Sequence, residues 1–263
     1  LLKMAWRDAK ASRLRLLLFT ASIVLGIAAV VSIQSFGENL KENIALQSKS
    51  MMGADFKIDM EEEPSPEVTA IMDSLGGAQA REISFSSMAA FPGKNSTKLV
   101  QVRGIEGDFP FYGEMQTTPP VAAFHFQEKE GVLLDATAML QLGLQPGDQI
   151  KIGGVTLPIL GALKSVPGSN AIFSSLAPPA VIPYRFIEET GLIQTGSRIG
   201  YDYYFKAPQM NLDKLEEQLV DRLKELDADL DTHTSTSERL GKRYENFGKF
   251  LNLVAFVALL LGC

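Results

Sequence analysis

Hydrophobic and polar positions divide the chain into three regimes. Residues 16–35, LLLFTASIVLGIAAVVSIQS, form an apolar run without a charge. About 20 helical residues, rising about 1.5 Å each, cross the roughly 30 Å hydrocarbon core of a bilayer, so this run predicts a membrane helix. Beyond it Phe36, Leu40, Ile44 and Met51 recur at near-helical spacing among Glu38, Asn39, Lys41, Glu42, Asn43, Gln47 and Lys49. That pattern extends the helix as a stalk over 36–52, closed by Gly53 as a left-handed cap. At the far end 247–263, FGKFLNLVAFVALLLGC, is apolar again and reads as the truncated start of a second membrane helix.

Between these ends the period switches repeatedly between two residues and 3.6. Ala54, Phe56, Ile58 and Met60 alternate with Asp55, Lys57 and Asp59, which predicts a strand with one buried face. Ser65 and Pro66 open a helix with the stripe Val68, Ile71, Met72 and Leu75, stopped at Gly76 and Gly77. A second strand over 83–91, a turn at 92–95 and a third strand over 99–105 come next. From 107 to 196 the segments shorten and Gly and Pro become frequent. Here we expect a strand at 131–134, a brief helix capped by Asp135 and ending near Gly143, and a hairpin of 150–152 with 155–163 around Gly153 and Gly154. A loop over 166–179 and a short helix over 184–190 complete this stretch. Ile199, Tyr201, Tyr203 and Phe205 then alternate with polar neighbours, Asn211 caps a helix with the stripe Leu212, Leu215, Leu219, Leu223 and Leu226, and 230–234 forms a last strand. Ser235 and Glu238 make a capping box for a helix running through 235–246 toward the second apolar run.

The expected fold class is therefore α+β. A split β-α-β lobe is built from 53–106 and 197–234, and 107–196 are inserted into it as a small β-rich lobe. Membrane helix and stalk stand on one side, a stalk over 235–246 and the second apolar run on the other. The stripes Phe36, Leu40 and Ile44, and Leu240, Tyr244 and Phe247, are candidate stalk packing residues, although plain helix packing explains any one of them equally well. Ile172, Phe173 and Leu176 are candidate hydrophobic contacts in the 166–179 loop, or alternatively plugs for the core beneath it.

Charge orients this layout. Residues 1–15 hold Lys3, Arg7, Lys10, Arg13 and Arg15 against Asp8 alone, which by the positive-inside bias keeps the N-terminus cytoplasmic and exports the chain beyond residue 35. With those four net positive charges and Lys249 set apart, the chain's −6 resolves into −11 over 16–246. An exported part so acidic excludes nucleic acid as a partner and disfavours docking on anionic lipid through a basic patch. Cys263 is the only cysteine, so the exported part holds together without a disulfide. A cleaved signal peptide is the alternative for the N-terminal run, but its length exceeds an h-region of about 7 to 15 residues.

Chemistry-bearing motifs are sparse. Gly93-Lys94 is followed by Asn95 and lacks the upstream glycine of a phosphate-binding loop. His125 and His233, the two histidines, stand far apart with no cysteine nearby, so no zinc ligand set is expected. There is no G-x-S-x-G. Glu61, Glu62 and Glu63 read as a solvated charge run. We expect no catalytic residue, no metal and no cofactor.

The segments AWRDAKASRLRLLLFTASIVLGIAAVVSI at 5–33, MMGADFKI at 51–58, VRGIEGDFPFYGEM at 102–115 and LLDATAMLQLGLQPGDQIKIGG at 133–154, in this order and spacing, resemble the FtsX-like permeases of ABC transporters with a MacB-type periplasmic core domain. Trp6-Arg7-Asp8, the Gly53-Ala54-Asp55 junction and GLIQTGSRIGY at 191–201 look most like the YbbP-like subgroup. The resemblance implies a non-catalytic, multi-pass subunit of the bacterial inner membrane with residues 36–246 in the periplasm. It further implies a porter-like lobe, a separate cytoplasmic ABC ATPase as partner, and a membrane lipid or other hydrophobic compound as cargo. Two alternatives remain. One is an FtsX-like regulator that activates a periplasmic hydrolase, which makes a periplasmic protein the partner. The other is a membrane-anchored periplasmic enzyme.

Overall fold

A computed structural model describes residues 47–168, 176–194 and 198–235, together with single positions at 17, 20, 21, 24, 27, 28, 31, 32, 35 and 253. Two compact units are present, Leu1–Leu46 with Thr236–Cys263, and Gln47–Ser235. In the first, the described positions from Leu17 to Ser35 are helical, and Leu17, Val24, Ile27 and Val31 each expose more than half of their surface. Among the described residues no helix is long and apolar enough to cross a membrane. The remaining positions expected to form membrane helices, and the stalk positions of 36–46 and 236–246, lie outside the described residues.

The second unit is built on one ten-stranded sheet. Its strands are β1 (Phe56–Met60), β2 (Ala78–Phe91), β3 (Ser96–Glu106), β4 (Gln116–Thr118), β5 (Val132–Asp135), β6 (Gln149–Ile152), β7 (Val155–Ser165), β8 (Pro179–Pro183), β9 (Ile199–Lys206) and β10 (Ala228–Thr232). The helices are α1 (Pro66–Leu75), α2 (Ala122–His125), α3 (Ala136–Leu142), α4 (Phe186–Glu189) and α5 (Leu212–Lys224). Neighbouring strands run in the order β10-β1-β9-β2-β3-β8-β5-β7-β4, with β6 bridging β2 and β7. Among the first four each strand runs antiparallel to its neighbours, and β1-α1-β2 with β9-α5-β10 interleave as two halves of a split β-α-β unit. Two pairings, β3 with β8 and β5 with β7, are parallel, so the sheet is mixed and the domain is mixed α/β.

Local chemistry accounts for the helices. Ser65 accepts from the Val68 N–H and Pro66 opens α1; Asp135 caps α3 through Ala138 N; Asn211 caps α5 through Lys214 N. Val68, Ile71 and Met72 of α1 and Leu212, Leu215 and Leu223 of α5 cover one face of the sheet over Phe56, Ile58 and Phe205, with the Phe56 and Phe205 rings stacked 4.7 Å apart. A second cluster joins β2 and β3 to the β5–β8 end through Phe91, Val100, Leu134, Ile150, Ile159 and Ile182. A third lies on the face opposite α1 and α5, where Met52, Ile105, Phe109, Leu133, Val166 and Tyr204 pack together.

That third cluster corrects the sequence reading. Alternation placed Asp55 and Tyr204 on an outward face, yet Asp55 is 1% and Tyr204 3% exposed, because residues 107–126 and 166–168 fold over this side of the sheet. β8 was also not foreseen. Its sequence PAVIP carries prolines at both ends, which argues against an interior strand, but all five residues are buried between β3 and β5. β4 and α2 are too short to leave a periodic signature. The hairpin of β6 and β7, the cap at Asp135 and the end of α3 at Gly143 stand where expected, with Gly143 in the left-handed conformation.

Candidate functional site

Residues 47–52 are helical and end in a cap at Gly53, whose N–H donates to Lys49 O at 2.8 Å. Gly53 has φ +77, and a Cβ there would lie 2.8 Å from the Phe109 ring, so glycine is required both by conformation and by space. Its carbonyl accepts from Phe111 N at 2.8 Å and Tyr112 N at 3.3 Å. The incoming segment is thereby fastened to the 109–112 loop before β1 begins.

Asp55 gathers the remaining strands of the knot. Its backbone N–H donates to Phe205 O at 2.9 Å. One carboxylate oxygen, Oδ1, accepts from Lys49 Nζ at 2.8 Å, and the other, Oδ2, accepts from Tyr112 OH at 2.9 Å and Ala207 N at 2.8 Å. Its carbonyl oxygen accepts from His233 N at 3.1 Å and from the His233 ring at Nδ1, 2.9 Å away. A carbonyl only accepts, so Nδ1 carries a proton. Burial pushes the Asp55 carboxyl up, but the donors Lys49, Tyr112 and Ala207 outweigh it and hold the group below the ordinary carboxylate value. Tyr112 is pushed up to about 12 by burial and by its bond to the Asp55 charge. Lys49 also lies over the Tyr112 ring, 5.1 Å from its centroid.

The outgoing end is fixed beside it. Thr232, fully buried, donates through its hydroxyl to Glu216 of α5 and accepts from Ser235 N at 3.0 Å. Residues 233–235 are helical, so Thr232 rather than Ser235 occupies the N-cap, three residues earlier than the capping-box motif indicated. Chain arriving at 47–55 and chain leaving at 232–235 thus meet at one buried carboxylate and its own peptide group. A carboxylate that accepts three hydrogen bonds from the protein's own donors and is held charged acts as a structural clamp.

The unit also carries two open grooves. One, about 720 Å³, is lined by Asp59, Glu61, Glu62, Asp202, Asp227 and Asp229. Beside it Lys57 bonds Asp202 at 2.9 Å and lies 3.1 Å from Asp59; burial pushes this lysine down, but both carboxylates outweigh it and raise it above its ordinary value. Burial, with the Asp202 and Asp231 charges, pushes Asp59 up despite Lys57. The other groove, about 530 Å³, lies against Phe109, Met115, Pro120, Phe124 and Phe126. Among the described residues no three His, Cys, Asp or Glu side chains are grouped to hold a metal ion.

Of the residues singled out from the sequence, Phe36, Leu40, Ile44, Leu240, Tyr244, Phe247, Ile172 and Phe173 lie outside the described residues. Leu176 is 73% exposed. His233, read as an ordinary histidine, is part of the knot. Asp55 and Tyr112 carried no sequence signal of pairing with it, because Asp55 and His233 stand 178 positions apart.

Comparison with known proteins places this architecture. A model of the MacB-like periplasmic core domain matches residues 16–222. The uncharacterised ABC transporter permease YbbP of Escherichia coli (strain K12) is 27% identical over 257 residues, covering 98% of this chain and 31% of that protein. The macrolide export ATP-binding/permease protein MacB 1 of Yersinia pestis bv. Antiqua (strain Antiqua) is 23% identical over 285 residues, covering 99% of this chain and 43% of that protein. The chain therefore spans less than half the length of these curated relatives. Among solved structures, the periplasmic region of MacB from Actinobacillus actinomycetemcomitans superposes with a TM-score of 0.44 at 15% identity, covering 72% of this chain and 94% of that one. With a family model matching most of its length, the chain belongs to the MacB-like periplasmic core domain family.

Proposed function

We propose that this chain is the N-terminal part of an ABC transporter permease in which cytoplasmic ATP hydrolysis displaces the periplasmic body through the segments that enter and leave it. The observation that carries the reading is the Asp55 knot, which binds the incoming 47–55 and the outgoing 232–235 to one point of the sheet. A displacement applied to either end then reaches β1, β9 and β10 together. The exposed Leu17, Val24, Ile27 and Val31, spaced by whole turns of helix, support a lipid-facing segment ahead of the body. Membership of the MacB-like family and the permease names of the relatives support the transporter role.

In this reading the protein is a multi-pass component of the bacterial inner membrane, with 36–246 in the periplasm and ATPase activity on a separate cytoplasmic subunit. Phe36, Leu40 and Ile44 pack the incoming stalk, and Leu240, Tyr244 and Phe247 the outgoing one. The split β-α-β part acts as a porter-like lobe, and Ile172, Phe173 and Leu176 meet a lipid or another hydrophobic compound that is extracted or exported. Purifying the tagged full-length protein from its native membrane tests this. An ABC ATPase is expected to co-purify, with ATP turnover stimulated by a hydrophobic compound. A stably bound soluble hydrolase whose activity follows ATP would instead support an FtsX-like regulator. Activity intrinsic to residues 53–245 without an ATPase would contradict the permease reading in favour of a membrane-anchored enzyme.

A further inference from the structure

Glu82 of β2 and Arg103 of β3 form an ion pair inside the third core cluster, each side chain 3% exposed. Arg103 Nε donates to Glu82 Oε1 at 2.5 Å and Nη2 to Oε2 at 2.7 Å, and Tyr204 OH donates to the same Oε2 at 3.2 Å. Burying two opposite charges costs several kcal/mol per ion before their attraction is counted, and an apolar pair of equal volume holds a fold at least as well. Stability alone therefore does not account for the pair.

The guanidinium has a further partner. Arg103 Nη2 also donates to Pro167 O at 3.1 Å, in the turn that leaves β7. The next residue, Gly168, donates its N–H to Met51 O at 2.7 Å, in the last turn of the incoming segment. Gly168 has φ +76, and a Cβ there would lie 3.3 Å from Tyr204 Oη and 3.4 Å from Arg103 Nη2. Pro167 Cβ in turn stands 3.0 Å from where a Gly53 Cβ would be. Phe109 packs on Tyr204 with ring centroids 4.2 Å apart, closing the site from the side.

We propose that Arg103 is a positioning residue that clamps the turn leaving β7 onto the end of the incoming segment. A displacement at Met51 then passes to β7 and to its partners β4, β5 and β6, and not only to β1. The clamp needs a planar, forked donor that binds a carboxylate through two nitrogens and still reaches a carbonyl; a lysine ammonium keeps the charge pair but lacks that geometry. This inference rests on the permease reading, because it concerns how movement divides within the body.

Hydrogen–deuterium exchange on the full-length protein with its ATPase, nucleotide-free and nucleotide-trapped, tests it. In the wild type, protection of both 47–56 and 160–168 is expected to change with nucleotide, by about tenfold or more in exchange rate. In Arg103→Lys the change at 47–56 should persist while that at 160–168 is lost. Where Arg103→Lys fails to fold, the double variant Glu82→Leu with Arg103→Met replaces the pair by apolar volume and is held to the same expectation. A 160–168 response that survives the variant while the wild type responds at both segments overturns the clamp alone. A wild type silent at both segments contradicts the permease reading and takes the clamp's role with it.

Discussion

Asp55 sits in the polar register of an alternating strand, and a side chain so placed ordinarily faces water. Here the 109–112 loop covers it, and the hydration it loses is replaced by bonds from Lys49, Tyr112 and Ala207. Asp55→Ala strands the Tyr112 hydroxyl and the Ala207 N–H without their acceptor, while Lys49, 31% exposed, returns to solvent. The expected loss is about 2–3 kcal/mol, read as a lower denaturation midpoint of the full-length protein. Because the folded value of the Asp55 carboxyl lies below its ordinary 3.8, the clamp contributes fully above that value and its contribution disappears as pH falls below it. Melting curves taken from neutral pH to about pH 3 should therefore show a steeper acid loss in the wild type than in Asp55→Asn. Gly53→Ala should cost about 1–2 kcal/mol for the left-handed backbone alone, with the Phe109 ring displaced in addition. Gly53 as a cap was legible from its place after a helical stripe. The roles of Asp55 and His233 were not, because they depend on which loop lies over the sheet, a property that spacing along one strand does not encode.

At the scale of elements, periodicity and caps recovered the features that are locally determined. Ser65, Asp135 and Asn211 act as caps, and α1, α5, β1, β9 and the β6–β7 hairpin follow their patterns. β8 escaped because its strand character comes from burial between β3 and β5, which overrides the proline penalty at its ends. Thr232 caps the helical residues 233–235 ahead of Ser235, and its bond to Glu216 of α5 is a tertiary contact that the local capping pattern does not encode. Thr232→Val keeps the shape but removes both bonds, and a loss of about 1 kcal/mol is expected in equilibrium unfolding. If stiff helices carry the movement, proline at Ile44 or Leu240 should break them and uncouple ATP turnover from function, as measured on the full-length protein with its ATPase. Unchanged coupling in both variants would count against the lever.

For the molecule as a whole, composition and order of segments already pointed to an exported acidic body between two apolar runs, and the family match bears out the kinship. Pattern alone did not show that β3 and β8 join strands of the two sequence stretches into a single sheet, with the third core cluster covering the face opposite α1 and α5. The central claim is that the chain arriving at Asp55 and the chain leaving at His233 are held as one unit. Spin labels at Gln47 and Asp229, both exposed, in a background freed of all other cysteines, Cys263→Ser among them, measure it most directly in the full-length complex. A single narrow distance distribution, the same with and without trapped nucleotide and broadened by Asp55→Ala, is the predicted result. A distance that shifts with nucleotide in the otherwise unaltered protein, or one that stays narrow in Asp55→Ala, would contradict it.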